Sequence, residues 1–424
     1  MKYAVVTFGC RVNQADSLGF EEDLLSRGGI PVSPSEAELV LVNTCSVTAT
    51  ADQGARQTIR RIARDNPGVR IVATGCYATR RPEEVLALPN VVRVVPNDDK
   101  PETISLLSTD FGLTTAVRFG EGEGSCGSAI EPGVAGRTAF TLRVQTGCAE
   151  SCSYCIIPAT RGRPRSVPVD EVVAQIARVA AAGFREIALT GVHLGSYGRD
   201  LTPAASLVDL LRAVRAAVPS VRLQADLLFR ISSLEPMDCS REIVDLVAQG
   251  GCFAPHLHLP LQHASNRLLA AMRRPYTIEY FAALVDDIRQ RIPHASIGSD
   301  VIVGFPGETE EDFDTLANYL ERSPLTHVHV FPYSDRPGTE AASMSVRAGG
   351  AIVRERGRRI REIVQRVSQR FRESQVGSVR PSLTVDDGSS VVTDNYLKLR
   401  VPAGRARNEH VHVQVLSAHD GAVV

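Results

Sequence analysis

No apolar run in this chain approaches the roughly 20 residues that a membrane-spanning helix needs, which excludes a helical membrane protein. The start, MKYAVVTFGC, lacks the long apolar core of a secretory leader and reads as a first strand. Net charge is also nearly absent, at −1 with a pI near 6.8, so no global field advertises a nucleic-acid partner. Lysine is scarce: Lys2, Lys100 and Lys398 are its only occurrences, and arginine supplies the rest of the 47 basic residues. Arginine suits bidentate phosphate contacts and stacking on bases. Codon bias in a GC-rich genome explains it as well, as the many Ala, Gly and Val residues suggest.

Cysteine is present, nine times. Without a secretory leader the expected compartment is the reducing cytoplasm, where thiols serve metals rather than disulfides. Cys148, Cys152 and Cys155, in GCAESCSYC, form a C-x3-C-x2-C loop in which three thiolates converge on one metal cluster. A four-iron cubane takes four ligands, so three cysteines leave one iron open, as a reactive cluster needs. The alternatives are a zinc site or three buried thiols. Zinc would usually bring a fourth Cys or His at short spacing, and the next histidine is His193.

With 424 residues, 43% of them hydrophobic, the chain has material for about two to four domains. In the first hundred, strands are predicted at Tyr3–Phe8, Leu39–Val42, Val69–Thr74 and Val91–Val95. Helical spacing lies between them at Ala15–Ser26, Ala49–Ala63 and Arg80–Ala87, giving a doubly wound parallel α/β pattern. Cys10, Cys45 and Cys76 each fall just past a predicted strand, where open parallel sheets bind ligands. Taken singly each is an ordinary small buried residue; together they suggest a second three-cysteine site.

Residues 116–137 are Gly-rich and read as a linker between residues 1–115 and a second unit at 138–375. Cys126 lies in the linker and receives no role. In the second unit, strands at Phe140–Val144, Glu186–Leu189, Leu227–Ile231, His256–Leu259, Ile297–Val303 and Thr326–Phe331 alternate with helices at Val169–Ala181, Leu207–Ala217, Arg241–Ala248, Ile278–Arg291 and Glu310–Glu321. That count predicts a partial or complete β/α barrel with its chemistry at the C-terminal strand ends. The helix Arg354–Arg372 carries Ile360, Ile363, Val364, Val367 and Phe371 on one face, and residues 376–424 read as a small β-barrel.

With both cysteine sets placed, the whole chain resembles the radical S-adenosylmethionine (SAM) methylthiotransferases. The resemblance implies a 4Fe-4S cluster on Cys148, Cys152 and Cys155 that binds SAM, and an auxiliary 4Fe-4S cluster on Cys10, Cys45 and Cys76. It further implies a C-terminal TRAM-type RNA-binding barrel. The stretches GCRVNQADS, NTCSVTATADQGARQTIRR, TGVHLGSYGRDL, HLHLPLQHAS, MRRPYT, SDVIVGFPGETEEDF and HVFPYSDRPGT are most similar to the MtaB-type branch. That branch methylthiolates C2 of N6-threonylcarbamoyladenosine, beside the anticodon of tRNA. C2 is an unactivated aromatic carbon, so the cofactor must carry the difficult step. In the implied reaction one SAM is cleaved by one electron to a 5′-deoxyadenosyl radical, and a second SAM methylates a sulfur held at the auxiliary cluster. The chain departs from the family at His263-Ala264, where Ser-Gly is usual, and at Val167, where many relatives place arginine.

For further SAM contacts the candidates are Glu235, Gln262, Gly304 and Gly307. Glu235 is equally a helix cap before Pro236, and the glycines are equally a simple loop. For RNA they are the Arg354–Arg372 helix, Arg161, Arg163, Arg165, and Asn395, Tyr396 and Lys398; a solvated face is the alternative for the helix. His193, His256, His258 and His263 are left out of the metal set, as are Cys239 and Cys252. The implied partners are tRNA and an electron donor such as a flavodoxin or ferredoxin, with a monomer expected. The rivals are methylthiolation of N6-isopentenyladenosine or of a ribosomal-protein aspartate and, in other classes, a two-cluster electron-transfer protein or an RNA-binding protein with structural zinc.

Overall fold

The structure, a computed structural model, describes residues 1–111, 132, 138–219, 227–419 and 422–423. Most of the expected linker, Cys126 included, lies outside the described residues.

The N-terminal unit runs β1 (Lys2–Thr7), α1 (Arg11–Ser26), β2 (Ile30–Pro31), β3 (Leu39–Thr44), α2 (Ala49–Asp65), β4 (Arg70–Gly75), α3 (Cys76–Arg80), α4 (Pro82–Leu86), β5 (Val91–Val95) and α5 (Thr103–Phe111). Its five parallel strands lie in the order β2-β1-β3-β4-β5, with β3 buried at every residue. Apolar side chains fill both faces: Val40, Val42 and Ile59 on one, Leu39, Leu41 and Phe20 on the other. This is why the strands read as continuous apolar runs rather than alternations.

The second unit comprises β6 (Phe140–Arg143), β7 (Gln145–Thr146), α6 (Ile157–Arg161), β8 (Arg165–Ser166), α7 (Val169–Ala181), β9 (Glu186–Thr190), α8 (Leu207–Ala217), β10 (Leu228–Ile231), α9 (Arg241–Ala248), β11 (His256–His258), α10 (Asn266–Ala271), α11 (Ile278–Arg291), β12 (Ser296–Val303), α12 (Glu310–Arg322), β13 (His327–Pro332) and α13 (Gly350–Gln375). Strands β6, β9 and β10 form one parallel sheet and β11, β12 and β13 another, joined by a parallel bridge from Phe229 to Phe253. The result is an open, six-stranded arc of parallel strands, a partial barrel. Helix starts follow side-chain chemistry: Ser206 with Asp209 and Thr309 with Asp312 form capping boxes before α8 and α12.

Helix α13 buries Ile360, Ile363 and Val367 against the barrel core, while Phe371 packs on the C-terminal unit. Four of its arginines, Arg356, Arg358, Arg359 and Arg366, are paired with carboxylates. Arg356 pairs with Glu308 at 2.9 Å, and Arg359 and Arg366 pair with Glu310 and Glu321 of α12. The expected RNA-contacting helix is therefore first a brace between two units. The C-terminal unit is an antiparallel sheet in the order β16-β15-β14-β17-β18, built from β14 (Val379–Val385), β15 (Ser390–Thr393), β16 (Lys398–Arg400), β17 (His410–Val415) and β18 (Ala422–Val423). Arg230 of β10, 1% exposed, ties it to the barrel: it pairs with Glu186 at 2.8 Å and donates to the carbonyls of Thr393 and Asp394 at 2.9 and 2.8 Å.

Candidate active site

Cys10, Cys45 and Cys76 stand at equivalent places on one sheet edge: Cys10 is the N-cap of α1, Cys45 follows β3, and Cys76 opens α3 directly after β4. Gly9, at φ +87°, permits the closeness, since a Cβ there would lie 2.6 Å from both Cβ and Sγ of Cys45. Burial pushes the Cys45 thiol up to about 11, and the neighbouring Cys76 and Cys10 add to the rise. A bare thiolate is costly at such a place, and a multivalent cation is what the donor set suits. Cys76 also meets Asn97, whose Nδ2 lies 3.8 Å from its sulfur, and the guanidinium of Arg161. Arg161 is 3% exposed and bound to Asn13 and Asp16, so it is not the surface RNA contact that its arginine-rich stretch suggested.

Cys148, Cys152 and Cys155 occupy the loop between β7 and α6, past the end of the first barrel strand. Backbone N–H groups of Glu150 and Ile157 reach the sulfurs of Cys148 and Cys155 at 3.4 and 3.5 Å. Arg274 Nη1 donates to Cys152 Sγ at 3.3 Å. Burial lifts the Cys155 thiol to about 12 and raises that of Cys152 despite Arg274. Below the loop, Tyr154 packs edge-on against Phe305, with ring centres 6.4 Å apart. His193 bonds to Asp238 at 2.8 Å and to Cys148; burial would depress it, but these partners hold it at about 10.

The candidate SAM contacts divide. Glu235 occupies the N-cap position before Pro236, yet its carboxylate does not cap; it pairs with Arg274 beside Cys152. Gln262 bridges to β12 through its backbone at φ +66°, its N–H on Asp300 O and its carbonyl accepting from Ile302, both at 2.8 Å. Gly304, at φ +76°, faces Val353 of α13, where a Cβ would approach to 2.6 Å. Gly307, at φ +82°, lies near Arg267. The two glycines thus form the turn between β12 and α12 beneath the cysteine loop. Cys239 and Cys252 are buried in the barrel core.

Between the two units lies a cavity of about 420 Å³, lined by Cys10, Arg11, Arg161, Ser232, His258 and Tyr396 among others. Tyr396 comes from the C-terminal unit and stacks on His256 at 4.5 Å. His258, His327 and His329 also face it, their ring nitrogens within 4.8 Å of one another. Arg274 falls in the MRRPYT stretch without an assigned role, and Asn97 and His327 carried no signal, because their neighbours come from distant parts of the chain.

Residues 142–320 match the Radical SAM superfamily, and residues 2–96 match a family described as uncharacterized protein family UPF0004. The threonylcarbamoyladenosine tRNA methylthiotransferase MtaB of Aquifex aeolicus is 36% identical over 94% of this chain and 96% of its own. The enzyme of that name from Bacillus subtilis is 34% identical over 93% and 88%. The chain belongs to the radical SAM tRNA methylthiotransferases. A tRNA-2-methylthio-N(6)-dimethylallyladenosine synthase of Carboxydothermus hydrogenoformans is 31% identical over 97% and 92%, so both substrate branches are near relatives. Among solved structures, the radical SAM methyltransferase TsrM of Kitasatospora setae shares the fold of this methylthiotransferase: TM-score 0.57 at 18% identity, over 80% of this chain and 73% of that one.

Proposed function

We propose that the protein methylthiolates C2 of N6-threonylcarbamoyladenosine beside the anticodon of tRNA. The observation that carries this reading is one cavity shared by the Cys10 edge of the N-terminal sheet and the strand ends of the barrel, with polar side chains along its wall. A purine held there would lie beside Cys10 of the auxiliary set, and Ile157, which opens α6 just past the loop of Cys148, Cys152 and Cys155, lines the same cavity.

Cys148, Cys152 and Cys155 would hold one 4Fe-4S cluster, and Cys10, Cys45 and Cys76 the other. When bound, these groups supply reductive cleavage of SAM and a sulfur for transfer. The protein does the placing. Arg274 fixes Cys152 and Glu235 together, the N–H of Glu150 orients the Cys148 sulfur, and the N–H of Ile157 offsets part of the burial penalty on the Cys155 thiolate. Glu235, Gln262, Gly304 and Gly307 are the candidate SAM contacts, Glu235 by its closeness to Cys152 and the glycines by the turn beneath the loop. Tyr396 forms the wall of the cavity on its C-terminal side. We take residues 1–115, 138–375 and 376–424 as the three domains, tRNA and a flavodoxin- or ferredoxin-type electron donor as partners, a monomer as the working form, and the cytoplasm as the place of action. No described helix is long and apolar enough to cross a membrane.

Mass spectrometry of tRNA nucleosides from cells with and without the gene tests the substrate. Loss of the 2-methylthio nucleoside with accumulation of its threonylcarbamoyl precursor is expected. An unchanged nucleoside would move the substrate to isopentenyladenosine or the ribosomal-protein aspartate.

A further inference from the structure

Arg11 differs from the other buried or half-buried arginines around the site. Arg161, Arg230 and Arg274 each meet a carboxylate: Asp16, Glu186 and Glu235. Arg11 lines the cavity with neutral partners, donating from Nη2 to the Tyr396 hydroxyl at 2.9 Å and from Nη1 to Ser232 Oγ at 3.5 Å. Among the described residues no carboxylate pairs with it. A guanidinium oriented by hydroxyls at a cavity wall, with its charge uncompensated, is a receptor for an anion.

The surroundings narrow the anion. His256 and His327 stack with Tyr396, and burial holds both imidazoles below their usual range, so they present ring faces without charge. Asp300, the carboxylate in the lining, is engaged by His258 Nε2 at 3.0 Å and remains an acceptor for N–H or O–H. One small anion with neighbouring hydrogen-bond donors fits this wall; an apolar substituent would bring no counter-charge to Arg11 and nothing to donate to Asp300. Arg11 directly follows Cys10, so an anion on it lies beside the auxiliary site. In adenine, N6 and C2 flank N1 on one edge, so a side chain anchored there turns C2 toward the same site.

We propose that Arg11 binds the carboxylate of the threonylcarbamoyl group, and that this contact selects that nucleoside over one carrying an apolar N6 substituent. The proposal rests on the substrate reading above and adds the residue that enforces it.

The test uses the cluster-reconstituted full chain with SAM and a chemical reductant. The probes are three anticodon stem-loops, bearing threonylcarbamoyladenosine, its methyl ester or isopentenyladenosine. Wild type is expected to prefer the free acid to the ester by on the order of 10–100-fold in kcat/KM. Arg11→Gln should collapse that ratio toward one, and Arg11→Lys should retain part of it. Tyr396→Phe, which removes the hydroxyl that orients the guanidinium, should lower the ratio even if Arg11→Gln loses its clusters. Equal wild-type rates on acid and ester would overturn the proposal alone. So would an Arg11→Gln loss shared equally by both, the pattern of a tRNA phosphate contact. Activity confined to the isopentenyl stem-loop would overturn the substrate reading, and this assignment with it.

Discussion

Arg274 donates to the sulfur of Cys152 at 3.3 Å from 122 residues away along the chain. The same guanidinium pairs with Glu235 and lies over the Tyr276 ring, 5.1 Å from its centre. One buried cation thus fixes a cysteine of the barrel's first loop to a carboxylate beyond its third strand. Arg274→Gln should keep the fold yet lower cluster retention and SAM affinity by roughly 10–100-fold, as loss of a partner behind a metal ligand does. Iron content after reconstitution and SAM titration measure this. Full retention of both would show that the contact is only packing.

The two cysteine sets make separable claims. Cys152→Ala should abolish SAM cleavage. Cys45→Ala should leave cleavage to 5′-deoxyadenosine running while methylthio transfer stops. Each variant should lose about half of the iron of a chain holding two four-iron clusters. Cleavage persisting in Cys152→Ala would reassign the sites.

The elements and the cysteines were legible in the sequence because their signals are local. Val169–Ala181, Leu207–Ala217, Arg241–Ala248 and Ile278–Arg291 are helices over the spans their periodicity predicts. Short pieces such as α3, α6 and α10 escaped, being too brief to display a period. The electrostatics were not legible. Arg161 sits in a stretch that looks like a basic surface, and only the docking of the N-terminal sheet buries it. Tyr396 looks like part of a detachable RNA-binding tail, and contacts from distant residues, Arg230, Arg11 and His256 among them, hold it in the cavity.

The joint between the N-terminal sheet and the barrel converges on Asp16. Its carboxylate takes Lys100 at 2.7 Å from its own unit, and Arg143 and Arg161 from the barrel. Burial would raise this carboxyl, but the three cations hold it below its usual range. Asp16→Ala strands Lys100 and Arg161 in the interior, a loss of about 3–5 kcal/mol for a broken buried pair. Urea denaturation of the apoprotein reads the cost, and Asp16→Asn should be milder because its amide oxygen still accepts. A loss under about 1 kcal/mol would place the joint's strength in apolar packing instead.

Asp312 makes the acid sensitivity of the barrel predictable. It closes the capping box of α12 and accepts from Ser265 Oγ at 2.6 Å and from Arg267 across the adjoining α10. Burial would raise its carboxyl, but these donors, with Thr309, hold it well below the usual carboxylate range. The folded protein therefore binds this proton less tightly than the unfolded chain. The stabilisation is complete above the unfolded value of about 3.9 and fades as pH falls toward the depressed folded value. Asp312→Asn should lose about 1–2 kcal/mol at neutral pH, the scale of a lost cap. At about pH 3 the gap to wild type should narrow, because the unfolded wild-type carboxyl is then protonated. Urea titrations of the two apoproteins at both pH values decide it. A deficit of the same size at each pH would mean that the carboxylate's charge contributes nothing and the loss is steric.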